Sequence, residues 1–82
     1  MRKRFKFVVI NNTENITLTD VNWTLETGVD TLVSTLPINL SAYEDIFVFV
    51  DYNYTTSGNY TVIATGENPL YFDSATLEIM VP

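Results

Sequence analysis

Cysteine and histidine are both missing from this chain of 82 residues. Without cysteine there is no disulfide framework, no thiolate zinc site and no cysteine nucleophile. Without histidine the commonest general base and metal ligand are gone, so no serine or threonine has a partner to activate it. Lysine and arginine are absent after Lys6. Glycine and proline are scarce, at three each, and there is no low-complexity tract or internal repeat. Long apolar runs are also lacking: nothing approaches the ~18 residues of a membrane-spanning segment. Met1–Arg4 has the charge of a secretion-signal start. The apolar run behind it, Phe5–Ile10, is interrupted by Lys6 and stops at Asn11, short of the roughly 7–15 residues such a signal needs.

What is present describes one small folded domain. A chain of this length buries only about 60–65% of its unfolded surface, so a single thin core is expected. Hydrophobic residues make up 46% and aromatics 13%, which excludes a disordered chain. All four basic residues (Arg2, Lys3, Arg4 and Lys6) precede Phe7, and all ten acids follow it, so the body carries a formal −10. Such a body repels phosphate backbones, and no nucleic-acid partner is expected. It suits a salty medium that screens self-repulsion. Residues 1–4 read as a basic, solvated tip pairing loosely with nearby acids, too weakly charged to hold a membrane. The domain proper is expected over 5–82.

The dominant hydrophobic period is two. Val21, Trp23 and Leu25 alternate with Asn22, Thr24 and Glu26; Leu77, Ile79 and Val81 alternate with Thr76, Glu78 and Met80. Tyr60, Val62 and Ala64 follow the rule less strictly. Six strands are expected: Phe5–Ile10, Thr17–Thr27, Thr31–Leu36, Asp45–Tyr54, Asn59–Thr65 and Ala75–Val81. Turn chemistry separates them at Asn11–Asn15, Thr27–Asp30, Pro37–Glu44, Thr55–Gly58 and Gly66–Ser74. No long helix is expected. Many short strands with turns every eight to twelve residues argue an all-β, antiparallel β-sandwich of about six to seven strands.

Six Asn-x-Ser/Thr sequons occur, at Asn11, Asn15, Asn22, Asn39, Asn53 and Asn59. Composition alone gives about 1.6. Residues i and i+2 share one face of a strand, so a polar Asn/Thr face makes such patterns without any glycan. That accounts for Asn22 and Asn59 more easily than for Asn11, Asn15 and Asn39 at turns. N-glycosylation and a merely polar surface both remain open, and either favours an exported protein.

Two local features carry a family resemblance. In Ser57-Gly58-Asn59-Tyr60-Thr61-Val62 a turn feeds a strand whose second residue is tyrosine, and Trp23 stands mid-way along the second strand. Val9-Ile10-Asn11-Asn12-Thr13 and Leu40-Ser41-Ala42-Tyr43-Glu44 complete the order. Together they resemble the CARDB-type and fibronectin-type-III-like, immunoglobulin-like domains of archaeal or bacterial surface proteins. Val62 replaces the cysteine of antibody domains, and the turn after Asn11 lacks the usual glycine. The resemblance implies structural roles for Trp23 and for Tyr60, whose phenol would bond back to nearby backbone. It also implies a chain beginning at the family's second strand and excised from a larger exported protein.

The implied function is a non-catalytic extracellular or cell-surface module making adhesion, homodimer or tandem-domain contacts. Asp45–Tyr54 is apolar on both sides. The family-like register turns Ile46, Val48, Val50 and Tyr52 inward, leaving Phe47 and Phe49 to join Val8 and Ile10 in an outer contact patch; the opposite register buries the two phenylalanines instead. An alternative is a carbohydrate-binding module using Tyr71 and Phe72 of the Gly66–Ser74 loop, whose aromatics otherwise plug one end of the core. The acids are spread singly. Neither a glycosidase pair nor a calcium loop is evident, and no cofactor, metal or enzymatic activity is expected.

Overall fold

The structure, a computed structural model, describes residues 1–82. It is all-β, with seven strands: β1 (Arg2–Ile10), β2 (Leu18–Glu26), β3 (Thr31–Val33), β4 (Ile38–Leu40), β5 (Asp45–Asn53), β6 (Gly58–Glu67) and β7 (Phe72–Val81). All pairings are antiparallel. β1 and β5 form a two-stranded ribbon. The other five make a second sheet in the order β3-β2-β6-β7, with β4 also paired to β2. No helix is present that could cross a membrane.

The alternating residues identified in the sequence face one another between the ribbon and the larger sheet. Phe5, Leu25, Tyr54, Val62 and Val81 form one buried cluster; Val9, Val21, Leu40 and Val48 form the other. Phe7 and Trp23 touch both clusters, their rings edge to face with centroids 5.4 Å apart. Trp23 thereby ties β1 to β2 across the interior. Val9 lies over Gly66 of β6, its Cγ1 3.7 Å from where a Cβ on that glycine would stand. The narrow ribbon thus covers β2, β4 and β6.

Four expectations are corrected. The basic tip pairs with an acid through exposed side chains, Arg2 and Arg4 on Asp51, but its backbone is not separate from the domain: β1 begins at Arg2, and Arg2–Arg4 pair with Asp51–Asn53 of β5. The segment Pro37–Glu44 contains the short strand β4, which Leu40 anchors as one of the most buried residues in the protein. The loop expected at Gly66–Ser74 is a tight hairpin, since β6 and β7 stay paired out to Glu67 and Phe72. Asn68 closes it: its Oδ1 accepts from the Leu70 and Tyr71 amides at 3.0 and 2.7 Å. Finally, Leu70, Tyr71 and Phe72 do not plug the core. All three are exposed, Phe72 by 70%.

Every buried side-chain nitrogen and oxygen has a hydrogen-bond partner. Thr27 accepts from the Val29 and Asp30 amides through Oγ1 and closes the turn at Gly28. Gly28 needs to be glycine twice over: its φ is +94°, and a Cβ would come within 3.0 Å of the Tyr60 ring. The Tyr54 hydroxyl donates to the Thr27 carbonyl at 2.7 Å, and burial raises its pKa. Tyr52 donates to the Asp30 carboxylate, and this bond first, with desolvation second, raises the Tyr52 pKa.

Candidate functional site

The outer face of the β1–β5 ribbon is built by the register of two strands. In β1 the odd-numbered residues Phe5, Phe7 and Val9 turn inward, which sends Lys6, Val8 and Ile10 outward. In β5 Ile46, Val48, Val50 and Tyr52 turn inward and Phe47 and Phe49 outward. Residues directly opposite each other share a face. Val8 pairs with Phe47, Lys6 with Phe49, and Ile10 with Asp45. Val8, Ile10, Phe47 and Phe49 therefore stand side by side, exposed by 45%, 51%, 57% and 60%. The Lys6 ammonium lies 4.9 Å from the Phe47 ring centre and 5.9 Å from that of Phe49. Each ring face receives the cation, and the lysine stem covers part of the strip.

The strip ends in charge. Asp51 accepts from Arg4 Nε at 2.8 Å and from Arg2 Nη2 at 3.0 Å. The hydrogen bond from Arg4, then that from Arg2, lowers the Asp51 pKa to about 2. The same bond raises the Arg4 pKa. Asn53, one of the sequon residues, is exposed two residues beyond Asp51 on the same face. The apolar strip is thus bounded by an ion cluster at one end and by Asp45 at the other.

The structure brings the four expected contact residues together, and it places Tyr71 and Phe72, at the hairpin tip, on a cleft that Val8 and Ile10 also line. Tyr71 and Phe72 are neighbours in sequence but fall in different settings, one in the turn and one in the first pair of β7. Trp23 packs inside as described, and the Tyr60 hydroxyl donates to the Thr56 carbonyl at 2.6 Å. No three acids converge on a point where a metal could sit.

The sequon residues separate sharply. Asn15, Asn39, Asn53 and Asn59 are exposed, and Asn22 is half-buried. Asn11 is wholly buried: its Nδ2 donates to the Ile16 and Leu40 carbonyls at 2.7 and 2.9 Å, and its Oδ1 accepts from the Thr13 amide and hydroxyl. Both amide hydrogens are used and no room remains for a sugar, so Asn11 is not a glycan site in the folded protein. Its Asn-x-Thr pattern is an Asx turn. Sequence reasoning also missed Tyr54, the largest fully buried side chain. Its position at the end of an apolar strand and before Thr55-Thr56 reads equally well as a surface turn.

No model of a known protein family, no curated protein and no solved structure matches the chain.

Proposed function

We propose that this protein is a non-catalytic contact module of an exported surface protein, binding a second copy or a neighbouring domain through the outer face of the β1–β5 ribbon. The observation that carries the reading is the contiguous exposed strip of Val8, Ile10, Phe47 and Phe49. Apolar side chains gathered on one flat face, rimmed by charge, are the usual surface of a protein contact. The wider reading is an immunoglobulin-like β-sandwich of the CARDB or fibronectin-type-III kind. Its supports are the pairing of β1 with β5 opposite the order β3-β2-β6-β7, Trp23 on β2, and the Tyr60 bond to the Thr56 carbonyl. An acidic body and four exposed sequon residues fit an extracellular glycoprotein.

A second reading, a carbohydrate-binding module, rests on the exposure of Tyr71 and Phe72. Both lie at a hairpin tip where an aromatic ring could stack on a sugar, and Tyr71→Ala would abolish such binding. The contact reading is tested by sedimentation equilibrium over a wide concentration range. Association that Phe47→Ser weakens about tenfold or more is expected for a residue at the centre of a contact. A mass of 9.3 kDa at every concentration would exclude self-association through this face.

A further inference from the structure

The ribbon is two strands wide and the sheet beneath it is wider, so one strand is left uncovered. β7 pairs with β6 throughout: Val62 with Leu77, Ala64 with Ala75 and Gly66 with Asp73. Paired residues share a face. Val62 is only 3% exposed, yet Leu77, beside it on the same inward face, is 53% exposed, and Ala75 is exposed as well. Near Val81 the strand still reaches Phe5. Toward Phe72 it passes out from under β1, as the twist between the layers demands. The result is a cleft of about 540 Å³ between the rim of β1 and the inner face of β6 and β7. Phe7, Val9, Ala64, Gly66 and Ala75 supply its apolar wall.

The rim of that cleft is an unpaired strand edge. β1 has β5 on one side and no strand on the other. Met1 and Tyr54 bond through their backbones, as do Asn11 and Glu44. In an antiparallel ladder the bonded pairs alternate, so the odd-numbered residues of β1 direct their N–H and C=O toward β5. The N–H and C=O of Lys6, Val8 and Ile10 then point over the cleft. A row of free backbone groups beside an apolar floor matches the two requirements of another strand: main-chain partners for its backbone and a place for alternate side chains.

A second folded copy cannot meet this edge. Pairing β1 with its symmetry mate would bring the two overhanging β7 strands into the same space. The occupant must be a strand without a sheet of its own beneath it. Charge narrows it further, since Glu67 and Asp73 line the cleft and no basic residue does. We infer that the cleft is an acceptor for an extended segment of another polypeptide, which adds to the free edge of β1 beside Lys6–Ile10. The segment alternates small apolar with polar residues and carries lysine or arginine beside Glu67 and Asp73. Ala75 and Gly66 set its specificity by leaving depth for a valine or leucine on the donor.

The test uses a synthetic nine-residue peptide, KVTATVTVK, labelled at one end and titrated into the whole protein. Saturable binding by fluorescence anisotropy is expected, together with slowed hydrogen exchange at the Lys6, Val8 and Ile10 amides. Ala75→Phe, which fills the floor from an exposed position, should weaken binding about tenfold or more. Methylating alternate peptide nitrogens on the bonding edge should abolish it. Met80→Ser, on the opposite face of β7, should leave it unchanged. No saturation at millimolar peptide, unaltered exchange at those three amides, or binding that survives both Ala75→Phe and N-methylation would each overturn the assignment.

Discussion

The two buried clusters are finished differently at their outer limits. Around Phe5, Leu25, Tyr54, Val62 and Val81, residues from both layers meet and the backbone closes over them. Met1 and Tyr54 bond to each other there, and Thr27, Asp30, Tyr52 and Tyr60 form a layer of polar contacts on top. Three tyrosine rings meet in this region, Tyr52 edge-on to Tyr54 with centroids 4.9 Å apart and Tyr60 tilted against Tyr54 at 4.7 Å. Around Val9, Val21, Leu40 and Val48 the interior is held by β1 and β5 on one side and by β2 and the short β4 on the other. Its buried polar clamp is Asn11, and beyond Val9 it opens into the cleft. The same alternation of side chains builds both ends. The difference lies in how many strands lie above and below. A core between two layers is only as closed as the narrower layer.

That comparison is sharpest where a cavity would have nowhere to collapse. Leu25→Ala at the closed end should cost about 3–4 kcal/mol, as the side chain is 1% exposed and walled on all sides. Urea unfolding measures it, and a loss below about 1 kcal/mol would mean that this end is as yielding as the other. The next effect belongs to the open end. Asn11→Ala strands the Ile16 and Leu40 carbonyls and should cost about 2–3 kcal/mol. Hydrogen exchange should rise first around β4 and the end of β1 and leave Tyr54 and Val62 protected. Uniform loss of protection would join the two ends into one cooperative unit.

The smallest effect concerns the ion cluster beside the closed end. The Asp51 pKa is lowered, so the group's contribution is present above the unfolded carboxylate value and is lost as pH falls from about 4 to about 2. Asp51→Asn should flatten the acid limb of a stability–pH profile over that interval by lowering the neutral plateau slightly, with stability below about pH 2 unchanged. An unaltered acid limb would place the acid sensitivity elsewhere.

Much of this architecture was legible in the period of the sequence. Val21, Trp23 and Leu25 announce their inward face by alternation, and the strand they lie on follows. Phe47 and Phe49 were ambiguous, because a strand apolar on both sides carries no signal for direction. Only the pairing of Val8 with Phe47 and of Lys6 with Phe49 assigns them. β4 was unreadable for another reason: three residues are too few to show a period, and Pro37 with Ser41 look like turn. The overhang of β7 has no local signature at all. Ala75-Thr76-Leu77 reads as a half-buried strand in either case, and its exposure is set by the width of a different sheet.

The burial of Asn11 has a consequence for the making of the protein. An oligosaccharyltransferase acts on extended chain and reads only Asn-x-Thr, which Asn11-Asn12-Thr13 satisfies as well as the surface sequons do. A sugar attached there before folding would occupy the amide that must grip Ile16 and Leu40. Maturation of this chain in a glycosylating cell is therefore a race between an enzyme and a turn. Yield from such a host should depend on how early Asn11 is withdrawn from solvent, whereas a host lacking the enzyme imposes no such contest.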